Sequence, residues 1–370
     1  MVYRSPSRRR FLKKTSWFGL GMGIGLPFGQ RLWAPPAASE KKLGVALVGL
    51  GSYSTGQLGP ALRETQYCRL TGVVTGDRAK GQRWARNYGF PESSVYHYDT
   101  MNQMAENSDI DIVYVVTPPG LHMEHTIKGF AAGKHVICEK PMAISVRECD
   151  LMLEAAEETG RMLSLGYRLH FHPYHEQVKA LAREKAWGGF REMSGGFGYR
   201  MSSPSWRQTQ ALGGGGQLMN VGIYVIQSAC MAKDEALPIA VRAEEPPKKR
   251  PDFFQEVEET LYFTLEFEDG STCRGETSGQ EYSNFFRAEA PEGWLEMQPA
   301  FSYGGLRMET HQGSIEPLRN FNQQAAQMDA FAQAIREGRP STVPGEMGRR
   351  DMRIIETIYR AAETGQREKV

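Results

Sequence analysis

Cysteine is scarce in this chain of 370 residues, and its five copies (Cys68, Cys138, Cys149, Cys230, Cys273) follow no C-x-x-C spacing. An odd and scattered set argues against both a disulfide framework and a thiolate metal site. Histidine is scarce too, with eight copies. His170, His172 and His175 stand close together, but no acidic or thiol partner lies at ligand spacing, so they read as a polar helix start. An excess of either charge is also lacking: Lys plus Arg number 44 against 43 for Asp plus Glu, a formal net charge of +1. Such a balance leaves no electrostatic footprint for nucleic acid or an acidic membrane surface. The apolar run Trp17 to Phe28 is too short and too rich in glycine for a membrane span.

That run has a different use. Arg8-Arg9-Arg10 and Phe11-Leu12-Lys13 precede it, and small residues follow from Ala34 to Ser39. Basic, apolar and small-residue regions in this order form a secretory signal. Ser7 to Lys13 also follows the twin-arginine pattern, whose machinery exports proteins already folded. Residues 1–40 are therefore expected to be an address and linker that places the protein in the periplasm. No clean A-x-A triplet stands before Ser39, so a cleaved leader and an uncleaved arm or anchor both stay open.

Glycine is abundant, at 40 residues, which predicts tight turns and close approaches of backbone to ligand. Leu43 to Leu50 is an apolar, β-branched run suited to a buried parallel strand. It carries Gly49-Leu50-Gly51, and Ser52-Tyr53-Ser54-Thr55-Gly56 then opens a predicted helix through Leu62. The first glycine serves the tight turn, and the second lets backbone approach a pyrophosphate that the helix N-terminus attracts. Ser54 fills the third fingerprint position and is small enough for close packing.

A second strand, Leu70 to Val74, ends in Thr75-Gly76-Asp77-Arg78-Ala79-Lys80, where such a fold meets the adenosine ribose. Asp77 lies late for holding a 2′-hydroxyl, whereas Arg78 and Lys80 suit a 2′-phosphate. NADP is favoured over NAD on that chemistry, against the bland alternative of two solvated surface cations. Asp111 to Val116 and His135 to Cys138 read as further buried strands, with a helix from about His122 to Ala132 between them. They end at Thr117-Pro118-Pro119-Gly120 and Glu139-Lys140-Pro141. Thr117 and Lys140 thus fall at the carboxyl ends of strands, where a doubly wound sheet binds its ligands. The expected fold class is α/β: a Rossmann domain over residues 41–165 and an α+β domain over 166–370.

The texture changes from about Gly189. Leu261 to Glu268 alternates apolar and polar residues, and Asp269-Gly270 reads as a hairpin turn into Thr272 to Gly275. Runs of this kind predict an open, mostly antiparallel sheet whose covered face packs on the Rossmann helices and forms a cleft. Glu244 to Asp252, with three prolines and three basic residues, reads as a surface loop. Met328, Phe331, Ala332 and Ile335, and then Met352, Ile355 and Tyr359, repeat at helical spacing as packing stripes of final helices that fold back.

Together these motifs resemble the Gfo/Idh/MocA oxidoreductase family. Gly49-Leu50-Gly51, Thr117-Pro118-Pro119 followed by His122, and Glu139-Lys140-Pro141 are its N-terminal hallmarks in order. Gly166-Tyr167-Arg168-Leu169-His170, Trp206-Arg207, Gly213-Gly214-Gly215 and Gly222-Ile223-Tyr224 are similar to its glucose–fructose oxidoreductase branch, itself exported with NADP bound. The resemblance covers residues 43 to 365 and implies hydride transfer to or from a sugar carbon.

It further implies that Lys140 contacts both nicotinamide and a substrate hydroxyl, and that Tyr224 is the general acid/base. Trp206 and Arg207 are implied to lie along the cofactor. With them go the turn residues Gly49, Gly51, Ser52 and Tyr53, the ribose segment Thr75, Gly76, Arg78 and Lys80, and the strand-end residues Thr117, Pro118, His122 and Glu139. Tyr167, Arg168 and Asn220 fall on the substrate side. A homo-oligomer through the free face of the second sheet is also implied.

One position departs from the family pattern: Asn220 stands where aspartate is usual, four residues before Tyr224. An amide can hydrogen-bond a sugar hydroxyl or hold Tyr224, but it cannot take a proton. Two other readings therefore stay open, a cofactor-assisted glycosidase or epimerase and a non-catalytic NADP-binding sugar sensor. Export in the folded state suits a protein that carries its NADP inside, since the periplasm holds little free cofactor. A tightly bound, internally recycled cofactor is expected.

Overall fold

The computed structural model describes residues 41–316 and 321–370. The arginine-rich export pattern lies outside the described residues. Strands β1 (Leu43–Val48), β2 (Cys68–Val74), β3 (Val95–Tyr96), β4 (Ile112–Val115), β5 (His135–Cys138) and β6 (Leu163–Leu165) form one sheet in the order β3-β2-β1-β4-β5-β6. Every pairing in it is parallel. β1 is buried on both faces, which is why its sequence is continuously apolar rather than alternating. Leu47, Val73 and Tyr114 face Leu58, Trp84, Met328 and Phe331, so the late helix Gln323–Glu337 covers the same side as the first helices. Val48, Val113 and Val136 face Phe130 and Met152 on the other side, and that core runs on into the second half of the chain.

The second half builds β7 (Glu192–Gly198), β8 (Ala240–Glu244), β9 (Thr260–Glu266), β10 (Thr272–Ser278), β11 (Ser283–Ala290), β12 (Gly293–Met297), β13 (Met308–Thr310), β14 (Gly313–Ser314) and β15 (Glu368–Lys369). Their order is β14-β13-β12-β11-β7-β10-β9-β8-β15. β7 runs parallel to β10, and its other neighbour β11 is antiparallel, as are the remaining pairs. The alternation expected at Leu261 to Glu266 is present: Leu261, Phe263 and Leu265 are buried, while Tyr262 is 43% exposed on the opposite face. The helix Ile223–Ala232 is buried on all sides and lies against the covered face. All five cysteines are buried and unpaired.

Two expectations are corrected here. The helix after the glycine turn does not run evenly, because Ser54–Leu58 is a wider π turn before the α-helix Gly59–Glu64. The three histidines are not a polar start. His170 and His175 lie in the core, and only His172 caps the helix Pro173–Arg183, its Nδ1 accepting from the Tyr174 amide at 3.2 Å. The Glu244 to Asp252 segment is the irregular surface stretch expected beyond β8, and it is pinned at one point. Arg250 in it pairs with the buried Glu259 at 3.3 Å and donates to the carbonyls of Met201 and Gly279.

Candidate active site

Gly49 ends β1 with φ +97°, and a Cβ there would come within 3.1 Å of the Val116 carbonyl oxygen. Only glycine meets both demands. Ser54 Oγ donates to the Gly49 carbonyl at 2.6 Å and fixes the turn against the helix. A groove of about 380 Å³ runs past this turn, lined by the backbone from Gly49 to Tyr53 and by Thr75, Lys80, Thr117 and Pro118. Gly51 lines the groove, and a Cβ there would meet no atom within 4 Å. A bare backbone bordering open space at a helix start is the cradle a pyrophosphate requires, so the residues fit a dinucleotide.

Lys80 donates its ammonium to the Leu50 carbonyl and so reaches over the turn. Asp77 lines the groove too, but its carboxylate caps the following helix by accepting the Lys80 amide at 2.9 Å. Of the ribose segment, Thr75 and Lys80 line the groove, while Gly76 and Arg78 stand exposed to solvent beside it. Tyr98, which no motif marked, completes the wall and stacks on His125 at 5.1 Å.

A second cavity of about 500 Å³ opens from the groove and shares Tyr53, Val116, Thr117, Trp206 and Arg207 with it. Lys140, at the end of β5, donates Nζ to the backbone oxygen of Asn220 at 2.5 Å. The same ammonium lies 4.7 Å from the centre of the Tyr224 ring. Tyr224 sits on the helix Ile223–Ala232, directly after a π turn at Leu218–Gly222 that carries Asn220. Such widened turns swing side chains out of helical register, which is why they gather at working sites.

Asn220 is fully engaged. Its Nδ2 donates to Tyr199 Oη at 2.8 Å and to Gln217 Oε1 at 2.9 Å, while its Oδ1 accepts from Arg207 Nε at 3.2 Å. A carboxylate there would instead need Tyr199 Oη and the Gln217 amide to turn round as donors, so the amide fits the network as it stands. Arg207 lies flat over Trp206, 4.2 Å from the ring centre, and the pair borders both cavities. Glu139 lines the cleft with its pKa raised by burial, and accepts from Tyr114 Oη at 2.7 Å.

Besides Gly76 and Arg78, two more expected residues line neither cavity. Tyr167 is fully buried, stacks on His170 and faces the buried Asp351, so it supports the site from the core. His122 is equally buried, with Nδ1 at 2.8 Å from the Pro141 carbonyl and Nε2 at 2.7 Å from the Thr117 carbonyl. It ties two strand-end loops together, and neither ring nitrogen is left for a cofactor.

Several cleft residues left no trace in the sequence reading. Tyr199, Asn284, Phe301, Ser302 and Tyr303 come from the second sheet and its loops, where no local motif marks them. Among the described residues, no group of three His, Cys, Asp or Glu side chains is placed to hold a metal ion.

Burial brings the His122 pKa from 6.5 down to about 4, against the carbonyl bonds that favour its proton. A depressed histidine contributes stability that is complete above the unfolded value and is lost as pH falls through the folded one. The contribution amounts to roughly 3 kcal/mol at most. Between pH 6.5 and 4 the melting temperature of the wild type should therefore fall more steeply than that of His122→Asn. Glu139 and Glu258, whose pKa values burial raises, act with the opposite sign but in both proteins alike. Parallel melting curves for the two proteins would count against His122 as the titrating group.

Comparison with known proteins bears on this arrangement. The profile of an oxidoreductase family with an NAD-binding Rossmann fold, Gfo/Idh/MocA, matches residues 43–167, and that of the Gfo/Idh/MocA C-terminal domain matches residues 175–293. The solved structure of an aldose–aldose oxidoreductase from Caulobacter crescentus superposes with a TM-score of 0.86 at 38% identity, covering 89% of this chain and all of that one. The chain belongs to the Gfo/Idh/MocA oxidoreductase family. More distant family members include the D-xylose 1-dehydrogenase (NADP(+)) of Haloarcula marismortui, 26% identical over 91% of this chain and 96% of that one. The D-glucoside 3-dehydrogenase of Escherichia coli is also 26% identical, over 90% and 98%.

Proposed function

We propose that this chain is an NADP-dependent oxidoreductase that moves hydride to or from a carbon of an aldose-type sugar. One observation carries the reading: a lysine ammonium lies 4.7 Å from a phenol ring, in a cleft that shares its wall with the dinucleotide groove. When bound, the nicotinamide takes up or supplies the hydride. Tyr224, as phenolate, accepts the hydroxyl proton of the sugar as the carbon bearing that hydroxyl gives up hydride and its C–O bond becomes double. The reverse step returns the proton. Lys140 sets its positive charge 4.7 Å from the centre of that ring. Lys80 over the glycine turn supports NADP, since Asp77 is committed to capping a helix.

The cleft suits a sugar ring. Phe197, Phe301 and Trp206 give flat apolar faces, and Tyr53, Tyr303 and Asn284 give polar groups beside them. Burial raises the Tyr53 and Tyr303 pKa values, so both phenols keep their protons as donors to sugar hydroxyls. The aldose–aldose oxidoreductase and the xylose dehydrogenase support this substrate class.

The arginine pattern before residue 40 supports export of the folded protein to the periplasm, and with it a bound NADP recycled by a second sugar. The uncovered face of the nine-stranded sheet, with Tyr262 among Arg274 and Glu276, suits pairing with a second copy. The test is absorbance and fluorescence of protein purified without added cofactor, before and after a panel of aldoses. Bound NADP reduced by one aldose supports the reading; an empty protein and no change with added NADP would sink it.

A further inference from the structure

Arg168 opens the turn Arg168–Phe171 and is only 2% exposed, yet it forms part of the cleft wall. As the sequence led one to expect, it lies on the substrate side, and its Nη atoms are also held by the scaffold. Nη1 donates to the Ser302 carbonyl at 3.1 Å and to Gln323 Oε1 at 2.5 Å, and Nη2 donates to the Phe301 carbonyl at 2.5 Å. Held from behind by three oxygens, its Cζ lies 4.9 Å from the centre of the Tyr224 ring and 4.7 Å from that of Tyr303. An arginine cannot give up its charge inside a protein, and a cation beside a phenol acts most strongly where water is excluded.

We propose that Arg168 is a positioning residue for the acid/base phenol, its fixed charge favouring the phenolate of Tyr224. Its grip on the carbonyls of Phe301 and Ser302 holds Tyr303 over the same cleft. The proposal rests on the assignment of Tyr224 as acid/base.

The groups around Tyr224 divide by sign. Lys140 and Arg168 are the cations beside its ring. Tyr53 and Tyr303 are the neighbouring phenols, and Glu139 is the acid that acts on both of them. Phe197 and Phe301 pack the rest of the ring at 5.7 and 6.1 Å. The two cations differ in freedom. Lys140 ends a flexible stem, whereas Arg168 is clamped by a planar fork of bonds. A clamped charge keeps its distance from the phenol while substrate and cofactor come and go.

The test is a near-ultraviolet phenolate titration of wild type, Tyr224→Phe, Arg168→Met and the double variant, so that paired differences isolate Tyr224. In Arg168→Met the Tyr224 phenolate should form at a pH at least one unit higher, and Arg168→Lys should recover most of that displacement. With an aldose substrate, the limb of kcat that rises with pH should move by the same amount, with KM changed less than kcat. If Arg168→Met fails to fold, Arg168→Gln against Gln323→Leu decides: the first removes the charge and keeps hydrogen-bond donors for the clamp, and the second loosens one clamp while keeping the charge. A titration unchanged in Arg168→Met, or equal displacements in Arg168→Gln and Gln323→Leu, overturns the proposal and leaves Arg168 a structural clamp. The titration needs no turnover, so it judges Arg168 even if no sugar reduces the cofactor and the sugar reading itself fails.

Discussion

Tyr224→Phe should lower turnover by about 10²- to 10⁴-fold, the usual worth of a positioned acid/base group, while the dinucleotide still binds. The argument is local. The ring packs between Phe197 and Phe301 and is 6% exposed, so phenylalanine keeps the packing and loses one oxygen. The groove past Gly49 does not use that oxygen, because Tyr224 is absent from its lining. Single-turnover reduction of bound NADP by an aldose reads the chemical step, and quenching of protein fluorescence by added NADP reads binding. Normal turnover in the variant would remove Tyr224 from the mechanism. A response to sugar that needs neither Tyr224 nor product formation would favour a sensor instead.

The second large effect concerns Glu258, a residue with no motif and no place in the chemistry. Its carboxylate is 4% exposed and accepts the amides of Gly216 and Leu218, both at 2.8 Å, and Tyr359 Oη at 3.1 Å. These bonds shape the glycine run that leads into the π turn with Asn220, whose carbonyl holds Lys140. Glu258→Ala leaves three buried donors unpaired, and each costs about 1–3 kcal/mol. A loss of at least about 3 kcal/mol is expected in urea unfolding, with a weaker response to sugar in whatever protein remains folded. Glu258→Gln keeps an acceptor oxygen and should lose less. Equal stability of Glu258→Ala and wild type would mean that water replaces the carboxylate at no cost.

Much of the dinucleotide half was legible because its function is local in sequence. A parallel sheet buried on both faces writes itself as apolar runs, and each ligand-facing residue follows directly on a strand end, as Gly49, Thr117 and Lys140 do. Tyr224 and Asn220 were legible through family resemblance, since nothing in their neighbourhood states their chemistry. The rest of the cleft was not legible, because it is assembled across the sheet. Asn284 begins β11, while Tyr303 belongs to the loop between β12 and β13, and only the register brings them near Lys140.

Misplacements share a cause. His122 and Tyr167 stand in recognisable motifs, yet burial turns their side chains toward carbonyls or a buried carboxylate. A motif fixes position along the chain; the hydrogen-bond partners decide whether the side chain meets a ligand or the scaffold. Likewise Arg250, in a proline-rich stretch that reads as a loop, is fixed by the buried Glu259.

The five buried, unpaired cysteines carry a practical consequence. Burial pushes all five thiols well above their usual pKa, and the thiolate is the reactive form. An alkylating reagent therefore meets them only when the surrounding structure opens, so labelling becomes a clock for unfolding. Cys68 and Cys138 lie on β2 and β5 of the parallel sheet, and Cys273 lies on β10 of the other. Mass spectrometry of labelled peptides would thus time the two sheets separately in one sample. Matching rates would mean that the two sheets open as one cooperative body; faster labelling of Cys273 would mean that the sugar side loosens first while the dinucleotide side stays closed.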